Sequence, residues 1–269
     1  MRPIACLLRH LRLFRAFPVL LLLAACATVP GTGRNQLMLV DDQQASQLGV
    51  GQFEQMKREL PISQNPEHTD LVKEVGRRIA GVVDLPGETE WEFVVFDDDT
   101  PNAFALPGGK VGVFTGLLKV ADNDDQLAAV VGHEIAHVVA RHGSERMSQG
   151  LLVQLGGQVL EAAMQSQPGT TQGLAMAAYG LGSQVGVLLP YSRKHELEAD
   201  HLGMLYMARA GYDPREAVEF WKRFAEYGKG GDQPPEFLST HPLDETRIQE
   251  LEAILPEALE AYREANGGV

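Results

Sequence analysis

The side chains best suited to chemistry in this chain stand at His133-Glu134-Ile135-Ala136-His137, where the run from Ile135 to Ala140 contains no glycine. On a helix, two imidazoles four residues apart lie about 40° apart in projection and one turn along the axis, so both can reach one metal ion. Glu134, beside the first imidazole, then meets a metal-bound water rather than the metal, where a carboxylate can take a proton. The spacing predicts a helix from about Asp124 to Arg141. Asp122 or Asn123 can cap its start, acidic residues fill its first turn, and Gly143 follows the basic end Arg141-His142. In a chain of 269 residues with 8 histidines the pentapeptide alone is open to chance, and two ordinary helix histidines are the alternative.

A catalytic zinc needs a third protein ligand and an open position for water. The best source is the stretch Ser192 to Asp200, which opens a helix continuing through Leu202, Leu205 and Met207. Glu196 and Asp200 are one turn apart and share a face, whereas Glu198 points about 200° away from Glu196. That nominates Glu196 as a ligand and Asp200 as the acceptor that orients a ligand histidine. An acidic, solvated helix start is the plain alternative. His195 and His201 are competing ligands, otherwise expected to face solvent.

Other segments must position these groups. Trp91 to Phe96 alternates and is β-rich, and Ala103 to Leu106 with Val111 to Phe114 flank Pro107-Gly108-Gly109-Lys110, predicting a strand and then a hairpin. Leu37 to Val40 reads as a short strand, and Asp41 to Leu60 and His68 to Val83 as amphipathic helices. Ser144 to Leu189 reads as a helical hairpin broken near Gln167-Pro168-Gly169. Its second half, Gly173 to Leu189, is expected to be buried or to graze a membrane rather than span one. Helices over Pro214 to Tyr227 and Leu243 to Ala265, the latter broken at Pro256, complete the chain. The fold class expected is α+β and mostly helical: one compact zincin-type metallopeptidase domain over residues 37–269, with a small β-sheet or hairpin beside the His133 helix.

The amino terminus carries Arg2, Arg9, Arg12 and Arg15, an apolar stretch from Phe17 to Ala25, and then Cys26. This is the layout of a signal peptide over residues 1–25, too short for a comfortable transmembrane span. Leu23-Ala24-Ala25-Cys26 resembles a bacterial lipobox, which implies lipid on the Cys26 thiol. Residues 26–36, polar and rich in Gly, Pro and Thr, then read as a lipidated tether. Two lipid signals suffice for stable anchoring, and Ala27 in place of aspartate favours the outer membrane of a Gram-negative cell, with the domain facing the periplasm. Loss of residues 1–25 removes four positive charges from a chain whose formal charge is already −13, which argues against nucleic-acid binding. The only other cysteine, Cys6, lies in the signal, so a core rather than a disulfide must stabilise the mature chain.

With Ser192-Arg193, Glu196 and Asp200, then Ser239-Thr240-His241-Pro242 and Arg247, and Asn102 to Gly109 upstream, the sequence resembles the HtpX and CAAX-prenyl-protease family of zinc metallopeptidases. It is most similar to the small periplasmic lipoprotein members. The resemblance implies one Zn2+ per chain on His133, His137 and Glu196, Glu134 as general base, and Asp200 orienting a ligand. It also implies that His241 lies near the metal, occupying the water position at rest or helping to stabilise the oxyanion. Arg247 is implied to serve the oxyanion or to pair with Asp200, and His142 to be an end cap. Unlike the HtpX and prenyl-protease branches, this sequence lacks multiple hydrophobic spans.

These readings converge on a metalloendopeptidase acting on unfolded or misassembled envelope polypeptides. Such substrates would add as a strand to an exposed edge formed by Gly109, Lys110, Val111, Gly112, Val113 and Phe114. The alternative is an outer-membrane protein assembly or chaperone factor, working with the assembly machinery there, whose protease site His241 keeps silent.

Overall fold

The computed structural model describes residues 26–85, 89–229, 236–242 and 245–267; the expected signal segment, residues 1–25, lies outside these. The chain starts with a hairpin of β1 (Cys26–Thr28) and β2 (Asn35–Leu37). Helices α1 (Asp42–Glu59) and α2 (Pro66–Ala80) follow, each opened by a side-chain cap, Asp41 accepting from the Gln44 amide and Asn65 from the Glu67 amide. A three-stranded sheet of β3 (Glu92–Phe96), β4 (Ala103–Leu106) and β5 (Lys110–Phe114) leads through the short α3 (Thr115–Leu118) into α4 (Asp124–Val139). Then come α5 (His142–Met164) and α6 (Gly169–Ser183). A π-turn at Gln184–Leu188 joins α6 to α7 (Leu189–Arg209), and α8 (Arg215–Lys229), α9 (Glu236–Thr240) and α10 (Glu245–Ala265) close the fold. This is the expected α+β, mostly helical architecture.

Helix α4 is the hub. All but three of its sixteen residues are buried, and it lies among α7, α2, α8 and β4. A helix apolar on every face belongs in the centre of a domain. Its closest neighbour is α7, and the approach depends on two glycines. A Cβ on Gly132 would lie 2.8 Å from the Gly203 carbonyl oxygen, and one on Gly203 would lie 2.7 Å from the His133 amide nitrogen. Side chains there would hold the helices apart, and with them the two halves of the expected site.

Four expectations need correction. The segment read as a tether is an ordered hairpin, with Val29 and Gln36 buried and Arg34 bonded into the body. The strand over Lys110–Phe114 is not an edge: the order is β3-β5-β4, with β5 parallel to β3 and antiparallel to β4. All five of its residues are buried, as in a central strand. The sheet's two edge strands are β3 and β4; the one next to α4 is β4, three of whose four residues are partly exposed. Finally, α10 runs through Pro256 without ending, anchored by buried Leu251 and Ala258 on either side, and β2 precedes the expected strand at Leu37 to Val40. The segment from Ser144 to Leu189 is a helical hairpin as expected. Among its described residues, Leu155, Val159, Leu174, Leu181 and Val185 are exposed, and the continuous helix Gly169–Arg209 is long and apolar enough to cross a membrane by length and composition.

The crossing of α4 and α7 yields a prediction. Gly203→Ala forces a methyl group against the His133 backbone and should destabilise the fold by about 1–3 kcal/mol, whereas Gly150→Ala, whose Cβ meets nothing within 4 Å, should be neutral or stabilise by about 0.5–1 kcal/mol. Denaturant unfolding of the two variants checks this; equal midpoints would contradict it.

Candidate metal centre

Four side chains from three elements converge beneath the α4–α7 crossing. His133 and His137 come from α4, Glu196 from α7 and His241 from the residue after α9, and all four are buried. Their candidate ligand atoms all lie within 4.8 Å of one another. His133 Nε2 is 3.1 Å from His137 Nε2, 3.2 Å from His241 Nδ1 and 3.3 Å from Glu196 Oε2. Glu196 Oε1 is 3.5 Å from His137 Nε2, and Glu196 Oε2 is 2.9 Å from His241 Nδ1. Ligands at about 2.0–2.1 Å from a tetrahedral zinc are separated by edges of about 3.3 Å. The donors are imidazole nitrogens and a carboxylate, the types zinc takes in hydrolytic sites. Glu196 Oε1 is also buried without a hydrogen-bond partner, as is Glu134 Oε1. An oxygen in that state calls for a cation. The residues present therefore fit a zinc ion.

Each α4 histidine is backed on its far nitrogen. His133 Nδ1 lies 2.9 Å from Asp200 Oδ1, and Arg247 clamps Asp200 with its Nε and Nη2, both at 2.7 Å. Of the two partners expected for Arg247, the structure supplies Asp200. Its Nη1 also donates to the Pro242 carbonyl at 2.9 Å and so holds the loop bearing His241. His137 Nδ1 lies 2.8 Å from His142 Nδ1, and His142 Nε2 lies 2.9 Å from Glu198 Oε2. His142 is thus more than the end of a helix. The chain turns for it at Arg141, which takes the left-handed backbone (φ 56°) expected of Gly143. Turning there, one residue past Ala140, folds His142 back onto His137. Gly143 instead sits in α5, where a Cβ would be 3.0 Å from Pro107.

Burial disfavours a charged His133, but Asp200 and Glu196 outweigh it and raise its pKa to about 9. His137 is held well below the ordinary imidazole value by its burial, which outweighs the nearby Glu196. Glu196 is driven well below the usual carboxylate range by His137, His133 and His241 despite its burial. Glu134, which has no cation bonded to it, is pushed up by burial. Its Oε1 faces His241 Nε2 at 3.4 Å.

Several contributors had no signal in the sequence reading. Phe237 stacks under the His241 ring at 4.4 Å, and Trp221 abuts His133 at 5.5 Å. The strong amphipathicity of α8 points to Trp221 as a core residue but not to its neighbour. His195, expected to face solvent or compete as a ligand, is buried and bonded to Glu145 at 2.9 Å, with its side chain outside the converging set. His201 is partly exposed and lies 3.6 Å from Glu257.

Comparison with known proteins points the same way. The model of Peptidase family M48 matches residues 66–255. The mitochondrial metalloendopeptidase OMA1 of Schizosaccharomyces pombe is 40% identical over 198 residues, 71% of this chain and 54% of that protein. Its Homo sapiens counterpart is 31% identical over 248 residues, 88% of this chain and 47% of that protein. The beta-barrel assembly-enhancing protease of Escherichia coli is 30% identical over 227 residues, 82% of this chain and 46% of that protein. The chain spans about half the length of these curated relatives. Every converging side chain from His133 to Arg247 lies inside the span matched by the family model, and the chain belongs to peptidase family M48, whose metallopeptidases depend on zinc.

Proposed function

We propose that this chain is a zinc-dependent endopeptidase, tethered to a membrane by lipid on Cys26 and facing the periplasm, that cleaves unfolded or misassembled envelope polypeptides. The observation that carries the reading is the convergence of His133, His137 and Glu196 with the buried Glu134 carboxylate, whose Oε1 has no hydrogen-bond partner, beside them. Those three side chains would hold the ion. Zinc, when bound, supplies a Lewis acid that acidifies a coordinated water and polarises the scissile carbonyl. Glu134 takes the proton of the attacking water and returns it to the leaving amine, a role suited to a buried carboxyl with a raised pKa. Asp200 and Arg247 hold the His133 ring in register while this happens.

Substrate adds as an extended strand along β4, Ala103 to Leu106, the open edge beside α4. Ala105, Pro107 and His137 line a cleft of about 260 Å³ along that edge, and Val185, Leu189, Leu197 and Glu196 itself line another of about 660 Å³. Backbone pairing reads little sequence, so an unfolded segment is the main requirement.

His241 supports a second reading. Its Nδ1 takes the fourth corner of the ligand set, the place a catalytic site leaves to water. With Phe237 stacked beneath the ring, this is a closed arrangement that must open before hydrolysis. The Escherichia coli relative is named for enhancing β-barrel assembly. A factor that binds assembling outer-membrane proteins and cleaves only when His241 is displaced has the same closed site.

Three outcomes follow. Glu134→Gln should keep one zinc per chain and lower casein cleavage by about 10²–10⁴-fold; undiminished cleavage refutes the role of Glu134. His241→Ala should raise basal cleavage with zinc retained, and unchanged cleavage removes the gate. Cys26→Ala should move the protein from the membrane to the soluble fraction of a Gram-negative host, and continued sedimentation with membranes contradicts the lipid tether.

A further inference from the structure

The two imidazoles of α4 are braced to the same plan. His133 leads to Asp200 and then to Arg247, from the carboxy-terminal helix. His137 leads to His142, then to Glu198, and then to Arg34, whose Nε donates to Glu198 Oε2 at 2.8 Å. Arg34 belongs to the amino-terminal hairpin, outside the residues the family model matches. We propose that Arg34 is a positioning residue of the metal site, fixing the ring orientation and tautomer of His137 through Glu198 and His142. This rests on the zinc reading above.

Hydrogen bonding allows the chain one direction. A neutral imidazole binding a metal through Nε2 carries its proton on Nδ1. His137 Nδ1–H therefore donates to His142 Nδ1, which must be bare, so His142 carries its proton on Nε2 and donates it to Glu198. Glu198 has to remain an acceptor in a fixed place. Arg34 binds one of its oxygens and the Thr32 hydroxyl donates to the other. Both come from the β1–β2 turn. Without them His142 can adopt the other tautomer, which sets two N–H groups against each other across 2.8 Å and turns His137 away from the ion.

Arg34 also steadies the face of the His142 ring. Its Nη1 and Nη2 donate to Glu145 Oε1 and Oε2 at 3.0 and 2.7 Å. Glu145 accepts from His195 Nε2 at 2.9 Å, and His195 stacks on His142 at 4.2 Å with an 18° interplanar angle. One guanidinium therefore bridges the carboxylate at the edge of His142 and the one that holds the ring stacked upon it. A lysine can reach either carboxylate but lacks the fork to bridge both.

The test is zinc affinity of the purified full chain, by competition with a chromophoric chelator, for wild type, His137→Ala, Arg34→Ala and Arg34→Lys. Wild type should bind one zinc that His137→Ala loses; if not, the zinc reading itself fails. Given that, Arg34→Ala should bind about 10–100-fold more weakly, the usual cost of losing a group that orients a metal ligand. Arg34→Lys should recover part of the loss. Affinity equal to wild type in both overturns the proposal. Should Arg34→Ala not fold, Arg34→Lys decides through histidine ¹⁵N spectra: a mixed His142 tautomer supports the proposal, and an unchanged Nε2–H form overturns it.

Discussion

For the proposed site to hold an ion, two buried imidazoles must aim their Nε2 lone pairs at one point, and much of the structure around them serves that requirement. A ring with a bare Nε2 carries a proton on Nδ1, and in a buried site that proton needs an acceptor. The fold supplies one behind each ring, Asp200 for His133 and His142 for His137. Each acceptor is in turn held by charge, through Arg247 directly or through Glu198 and Arg34. A carboxylate buried beside a ligand is tolerable only when paired in this way.

The helix geometry serves the same end. Gly132 and Gly203 let α4 and α7 approach closely enough for Glu196 to share a site with residues of another helix. The left-handed turn at Arg141 reverses the chain so that α5 presents His142 to the ring five residues before it. Trp221 and Phe237 form the apolar side of the cluster, excluding water from the faces of His133 and His241 and strengthening each polar contact within. His241 arrives on a one-turn helix whose position depends on Arg247 bonding the Pro242 carbonyl, so the fourth corner and the brace behind His133 are mechanically linked.

The sequence discloses the parts of this arrangement that obey helical periodicity. His133 and His137, Glu196 and Asp200 stand at the four-residue spacing that places side chains on one face, and the amphipathic pattern marks the helices that carry them. Contacts made across the chain leave no such trace. Arg34 is 111 residues from Glu145 and 164 from Glu198, and nothing in the composition of its Gly- and Thr-rich turn distinguishes a docked hairpin from a loose tether. The central place of β5 depends on a parallel neighbour, β3, which periodicity cannot assign. His195 and His142 are buried because Glu145, Glu198 and Arg34 satisfy them, a compensation visible only once all five are in place.

The central claim is that the ion rests on His133, His137 and Glu196 and not on the nearby buried pair His142 and His195. Anomalous diffraction at the zinc edge from crystals of the zinc-loaded protein tests it directly. The account predicts one peak per chain, about 2.0–2.1 Å from His133 Nε2, from His137 Nε2 and from a Glu196 oxygen. A peak between His142 and His195, or none within bonding distance of Glu196, would contradict it.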